Sequence, residues 1–227
     1  MGAVNELASY LGHNTFQSHK LVWTPERLTK VLKSHKTWAD FQSDVEALYL
    51  YASREDRDDW WLPHMSFAVE QFAGRVKTVL EYGAAIGWFG FRLMGRGFDV
   101  DFVESESRCA TFLDWRLRLH GLDRTVIAPD DFPLSRVWDG VTCFDLLGRY
   151  DEGGQCELLD LLPTLGTVVV FDADVRDRPK MKGIDVPALL DYLADGHDIL
   201  AHKVVNHYVH LVAYRAKDGP VTEILEE

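Results

Sequence analysis

Two acids and two glycines stand at a spacing that can hold a nucleoside. Glu81 follows an apolar run, Val76-Lys77-Thr78-Val79-Leu80, and opens the turn Glu81-Tyr82-Gly83-Ala84-Ala85-Ile86-Gly87. Glu104 closes the next apolar run, Asp99-Val100-Asp101-Phe102-Val103, and lies 17 residues beyond Gly87. Glycine has no Cβ, so its backbone can approach a ligand, and Gly83 can take the positive φ that a sharp strand-to-helix turn often needs. A carboxylate at the end of the second strand is placed to accept hydrogen bonds from ribose hydroxyls. Strand, glycine turn, helix, strand and acid is the order in which a doubly wound sheet builds a nucleotide pocket.

The remaining question is which nucleotide. A dinucleotide fingerprint, G-x-G-x-x-G, would need glycines where Ala85 and Trp88 stand, and no G-x-x-x-x-G-K-[ST] phosphate loop occurs. The segment resembles motif I of class I S-adenosylmethionine-dependent methyltransferases, roughly [D/E]-x-G-x-G-x-G. Glu81, Gly83 and Gly87 match it, and Ala85 replaces the middle glycine. The cofactor of that family carries no phosphate, so close backbone approach and carboxylates suit it better than a cationic cradle. Further on, Asp139 and then Cys143-Phe144-Asp145-Leu146-Leu147-Gly148-Arg149 resemble the family's strand-four region, where a run such as C-L-D-V-L-E-H is common. Gly148 and Arg149 depart from it.

The resemblance implies roles for particular residues. Glu81, Gly83, Ala85 and Gly87 would line the methionine end of S-adenosylmethionine, and Glu104, with Ser105 beside it, would hold the ribose. Asp130 or its competitor Asp131 would contact the adenine amino group, with Phe132 as a stacking neighbour. Phe144 would contact the cofactor, and Asp145 would contact it too and face the transferring methyl group. The plainer readings are a generic tight turn, a solvated loop acid at Glu104 and a surface carboxylate or helix cap at Asp145.

A sulfonium is already an activated electrophile, so the protein has to align the acceptor and keep water out. A hydroxyl or protonated amine acceptor would also need a base within hydrogen-bond reach. Asp145 ranks first and His64 second, ahead of Asp172 and Asp174, expected just past the fifth strand, and Tyr150. The expected activity is methyl transfer to an O, N or C atom of a small-molecule acceptor, with S-adenosylhomocysteine as product. Two alternatives are a methyltransferase-like protein that uses the cofactor for other chemistry and a catalytically degenerate partner subunit. A protein acceptor ranks lower; the absence of N-P-P-[YF] after strand four argues against adenine-N6 and glutamine-amide methylation and, together with the acidity of the chain, against nucleic-acid substrates.

Other chemistry-bearing groups read as structural. His197, His202, His207 and His210 cluster near the C-terminal hairpin without the carboxylate or cysteine pattern of a metal site, so no metal is expected. Trp60, Trp61, Pro63 and His64 form an aromatic patch, read either as packing of a cap on the sheet edge or as an acceptor-pocket wall. The charge run Glu55 to Asp59 reads as a solvated turn.

The elements that must position these groups follow from pattern. Residues 1–75 read as a helical cap or lid. Thr24-Pro25-Glu26 starts a helix to about His35, and Thr37 with Asp40 forms a capping box. Phe41, Val45, Leu48 and Tyr49 share one helical face, and Pro63 permits a helix to about Phe72 that Gly74 stops. Residues 76–227 alternate strands and helices as the cofactor-binding domain. A helix spans Arg108 to His120, with Cys109, Phe112, Leu113 and Leu117 inward, and strands are expected at 125–127 and 139–145. A helix at 157–162 precedes the apolar strand Gly166 to Phe171, which reads as covered on both faces. A helix at 187–194 leads to paired strands at 199–205 and 208–214, turning at Asn206-His207. The expected fold class is α/β: a Rossmann-like, doubly wound, seven-stranded sheet, mostly parallel, with a terminal antiparallel hairpin and an N-terminal helical cap.

The chain has 227 residues, 47% hydrophobic and 26% charged, which suits one elaborated globular domain. Its net charge of −12 opposes tight binding to a phosphate backbone, so nucleic acid is not an expected partner. No apolar run approaches the length of a membrane span, and Met1 to Glu6 matches neither a leader nor a myristoylation signal. Cys109, Cys143 and Cys156 share no metal or redox spacing and read as thiols in a reducing compartment. A cytoplasmic protein with no membrane association is expected, and a homodimer is allowed for.

Overall fold

The computed structural model describes residues 2–12, 30–31, 33–56, 61–105, 107–131, 136–177 and 181–217. Most of the expected helix from Thr24 to about His35 lies outside them, although residues 30–31 and 33–34 are described and helical, and so do Trp60, Phe132 and most of the run from Glu55 to Asp59.

Seven strands form one sheet in the order β3-β2-β1-β4-β5-β7-β6. They are β1 (Thr78–Tyr82), β2 (Asp99–Val103), β3 (Val126–Ile127), β4 (Trp138–Cys143), β5 (Gly166–Asp174), β6 (His197–Val205) and β7 (Val209–Ala216). The first five pair in parallel, while β7 runs antiparallel to both β5 and β6. The expected mostly parallel sheet with a closing hairpin is therefore the observed one. Three residues, Asn206 to Tyr208, join the hairpin strands, so β7 starts one residue later than expected; Asn206 and His207 take positive φ (52° and 61°), and the Tyr208 amide donates to the Val205 carbonyl at 3.3 Å.

Strand alternation builds two cores. Leu80, Tyr82, Val141, Cys143, Val169 and Phe171 face α7 (Glu152–Leu165) and α8 (Val186–Gly196). Their neighbours Val79, Val100, Phe102, Val168 and Val170 face the opposite layer. That layer comprises α4 (Leu62–Phe72), α5 (Trp88–Met94) and α6 (Arg108–Leu119). Helices on both faces explain why β5 reads as a continuous apolar run. Asp172 and Asp174 lie inside β5, and both are buried, which corrects their expected place beyond the strand.

The N-terminal residues supply α1 (Ala3–Tyr10), α2 (Trp38–Gln42) and α3 (Val45–Glu55). The capping box forms reciprocally: the Asp40 amide donates to Thr37 Oγ1 at 3.0 Å, and the Thr37 amide donates to Asp40 Oδ2 at 2.9 Å. The face read as one helix from Phe41 to Tyr49 is broken, because Asp44 takes an extended conformation and accepts from the Glu46 amide to start α3. Leu7, Phe41, Leu48 and Ala52 share a third core with Ile86, Cys109 and Phe112. The cap is thus packed onto the motif turn and α6. The fourth helix belongs to the sheet: Met65, Phe67 and Phe72 join the layer against β5 and β7.

Candidate functional site

The sheet order reverses between β1 and β4, and a ligand crevice is expected there, outside the carboxyl ends of the strands. A cleft of about 550 Å³, counted to its solvent-open mouth, lies at that point. Its floor is Glu81, Tyr82 and the turn from Gly83 to Ile86; Phe144 and Asp145 follow β4, which ends at Cys143, two residues short of the expected strand. Trp88 and Phe89 come from the start of α5, while Tyr51, Arg54 and Glu55 come from one face of α3, with Trp61 beside α4. Aromatic side chains make up much of its wall, as is common in small-ligand sites.

The turn adopts the backbone that its glycines predict. Gly83 has φ 76° and Gly87 has φ 80°. A Cβ on Gly87 would lie 2.4 Å from Leu113 Cδ1, so this glycine serves close packing of α6 and does not line the cleft. Ala85, at the position of the usual middle glycine, has φ 49° and so occupies the left-handed region with a side chain. Glu81 Oε2 accepts from the Gly90 amide at 2.8 Å, at the start of α5. Burial is the dominant influence on the Glu81 carboxyl and pushes it up to about 8, against the opposing Gly90 hydrogen bond.

Glu104 terminates β2 and is only 5% exposed. Its Oε2 accepts from the Ala85 amide at 2.6 Å, and its Oε1 accepts from the Ser105 amide at 3.0 Å and Ser105 Oγ at 2.9 Å. Gln42 of α2 lies over it, with Nε2 at 3.5 Å from Oε1. The cap therefore covers this carboxylate, which stands beside the turn but does not line the cleft. Asp130 and Asp131 sit exposed on a short turn after β3, also outside the cleft lining.

Asp145 has φ 53°, and its carboxylate meets two guanidiniums: Arg54 Nη1 at 3.3 Å and Arg149 Nη2 at 3.8 Å. Arg149 also reaches the Tyr51 hydroxyl at 3.4 Å. The Asp145 amide donates to Asp172 Oδ1 at 2.7 Å, while Asp172 Oδ2 lies 3.3 Å from His64 Nε2. His64 is 1% exposed, packs against Trp61 and Phe144, and has no partner at Nδ1 among the described residues. It stands behind the aromatic wall and connects to the cleft through Asp172 and the Asp145 backbone. Asp174 pairs with Arg176, and Tyr150 lies in a separate surface groove.

Glu55 reverses its expected setting. Its carboxylate receives Arg116 in two contacts of 2.8 Å, and its side chain is largely buried. Sequence reading also passed over Tyr51, Arg54 and Arg149 as cleft residues. Tyr51, Arg54 and Glu55 do fall at the i, i+3, i+4 spacing of one helix face, but only the packing of α3 shows that this face is the cleft. Trp61, read as a possible wall, does line it. Among the described residues no group of three or more metal-ligating side chains is placed to hold a metal, and no helix is long and apolar enough to cross a membrane. His202 and His210 pair with each other at 2.8 Å on the exposed hairpin.

No family profile matches the chain, and no curated protein matches it significantly by sequence. Solved structures do match its fold. A S-adenosylmethionine-dependent methyltransferase from Clostridium acetobutylicum superposes with a TM-score of 0.62 at 13% identity, covering 76% of this chain and 97% of that one. The magnesium protoporphyrin IX methyltransferase of Synechocystis, solved with S-adenosylhomocysteine, gives 0.58 at 13% identity, covering 72% and 84%. The glycopeptide N-methyltransferase MtfA, complexed with sinefungin, gives 0.55 at 12%, covering 67% and 92%. The chain has the Rossmann-like fold of these methyltransferases.

Proposed function

We propose that this protein is a S-adenosylmethionine-dependent methyltransferase acting on a small-molecule acceptor. The observation that carries the reading is the cleft at the sheet's reversal point, floored by the left-handed turn from Gly83 to Ile86 and walled by aromatic rings. The residues suit that cofactor. Gly83 and Ala85 line the cleft at the turn, Trp61, Trp88, Phe89 and Phe144 bring aromatic rings to it, and Glu104 stands next to the turn for a ribose. The structural neighbours solved with this cofactor, its product or its analogue give further support.

Bound there, the cofactor would supply an activated methyl group, which leaves the chain three tasks. The turn and Glu104 hold the nucleoside in place. The cap closes on the cleft through Tyr51, Arg54 and Trp61 and keeps water from the reacting centre. Asp145, the carboxylate just past β4, orients an acceptor hydroxyl or amine and takes its proton. Asp172 fixes the Asp145 backbone, and His64 is the positioning residue behind it.

A degenerate partner subunit is the second reading. It is favoured by two observations: Glu104 is already filled by internal donors, and Asp145 is held by two arginines. Calorimetric titration with S-adenosylmethionine and S-adenosylhomocysteine, with NAD and ATP as controls, separates the two. Micromolar binding of the first pair alone, followed by release of S-adenosylhomocysteine with an acceptor, is expected for the enzyme. No binding to folded protein would favour the partner subunit.

A further inference from the structure

Most charged side chains of the cleft already have partners, and Arg149 lies near Glu104 as well as Asp145. Glu55 is committed to Arg116, which also binds Glu6 at 2.6 Å, and Glu81 is turned into the start of α5, where it receives the Gly90 amide. The deep wall then places two guanidiniums, Arg54 and Arg149, against one carboxylate, Asp145. The two arginines are not equivalent. Arg149 is buried and hydrogen-bonded to Tyr51, while Arg54 is 34% exposed in its side chain and stands on the cap, facing the same cleft as Gly83 to Ile86. A partly exposed guanidinium held to its acid by one 3.3 Å contact can exchange partners at low cost, because such a pair is worth little in partial solvent.

We propose that Arg54 binds the α-carboxylate of the cofactor, exchanging Asp145 for it. The inference rests on the cofactor reading above. A planar guanidinium matches a carboxylate in two parallel hydrogen bonds, a stronger arrangement than the single 3.3 Å contact it leaves. The exchange has a second effect. Asp145 loses one of its two guanidiniums when the site fills, so its carboxylate is released toward the acceptor only once the cofactor is present. Binding of cofactor and then acceptor becomes the favoured order, and the acceptor site is masked in the empty protein.

The test is a set of titrations on the full chain that require no acceptor. Wild type should bind S-adenosylhomocysteine at least tenfold more tightly than its decarboxylated analogue. Arg54→Gln should abolish that discrimination by weakening S-adenosylhomocysteine while leaving the analogue nearly unchanged. Asp145→Asn should tighten S-adenosylhomocysteine several-fold when Arg54 is present and leave it unchanged in the Arg54→Gln background. Discrimination that survives in folded Arg54→Gln protein would overturn the role of Arg54, as would equal affinity of wild type for the two ligands. Failure of wild type to bind either ligand would instead overturn the cofactor reading itself.

Discussion

Arg116 of α6 ties Glu55 of the cap to the motif turn. Its guanidinium makes two 2.8 Å contacts with the Glu55 carboxylate and donates from Nη1 to the Ile86 carbonyl at 2.6 Å, with Glu6 of α1 on Nε. One buried cation thus joins α1, α3 and the floor of the cleft. The ring of Phe91 lies beneath it, 4.6 Å from the guanidinium carbon. Because Glu55 is itself a cleft residue, the geometry of the site depends on a side chain outside it.

Removing that cation should be costly. Arg116→Met leaves Glu55 buried without the guanidinium and Glu6 with His120 at 3.0 Å in its place, and breaking a buried pair from one side typically costs about 3–5 kcal/mol. Glu55→Gln keeps one hydrogen bond and leaves Glu6 as a counter-ion, so its loss should be nearer 1–2 kcal/mol on the scale of a weakened charged hydrogen bond. Urea denaturation of both variants checks the order. Equal, small losses would mean that the triad does not hold the cap to the turn.

Glu81 should make stability fall as pH rises. In the unfolded chain its carboxyl titrates at 4.5, and in the fold burial lifts it to about 8. Below the first value both states carry the proton. Between the two, the unfolded chain releases it while the fold retains it, so stability present in acid is lost progressively up to about 8 and then levels. Glu81→Gln removes this dependence. Its melting temperature relative to wild type should therefore climb between pH 5 and about pH 8.5; a constant difference would show that the carboxyl is not buried as described.

Ala85 offers a test of strain in the turn. A left-handed backbone costs a non-glycine residue about 1 kcal/mol or more, whereas glycine in the unfolded chain gains about 0.4–1 kcal/mol of freedom. These nearly cancel, so Ala85→Gly should change stability by less than about 1 kcal/mol. Ala85→Val places a β-branched side chain in that region and should lose about 2 kcal/mol or more. Thermal denaturation of the pair decides it: a tolerated valine would argue against the left-handed turn.

What was legible in the sequence is what local pattern controls. The turn at Gly83 and Gly87, the acid at Glu104 and the order of strands follow from glycine geometry and apolar periodicity, and all stand where expected. Groups whose setting depends on a distant partner were not legible. Glu55 looked solvated because Arg116 lies 61 residues away. Asp172 and Asp174 looked like residues beyond a strand, because a reader of the sequence ends β5 at the last apolar residue. Their partners, His64 and Arg176, let the strand continue through two buried acids. Arg54 became a cleft residue only through the packing of α3 on Ile86 and Phe112.

Glu104 and Gln42 should behave oppositely toward the cofactor. A carboxylate oxygen has about two acceptor positions; here two groups of Ser105 and Gln42 compete for Oε1, while Ala85 donates to Oε2. The Gln42 contact is the longest, at 3.5 Å, so a ribose hydroxyl displaces that side chain most readily. Glu104→Ala should weaken S-adenosylhomocysteine binding by about 1.5–3 kcal/mol, the value of a hydrogen bond to a charged group. Gln42→Ala removes the competitor and should leave affinity unchanged or tighter. Calorimetry of the two variants distinguishes this from a purely structural Glu104: weakening by Gln42→Ala equal to that of Glu104→Ala would mean that the acid only anchors the cap.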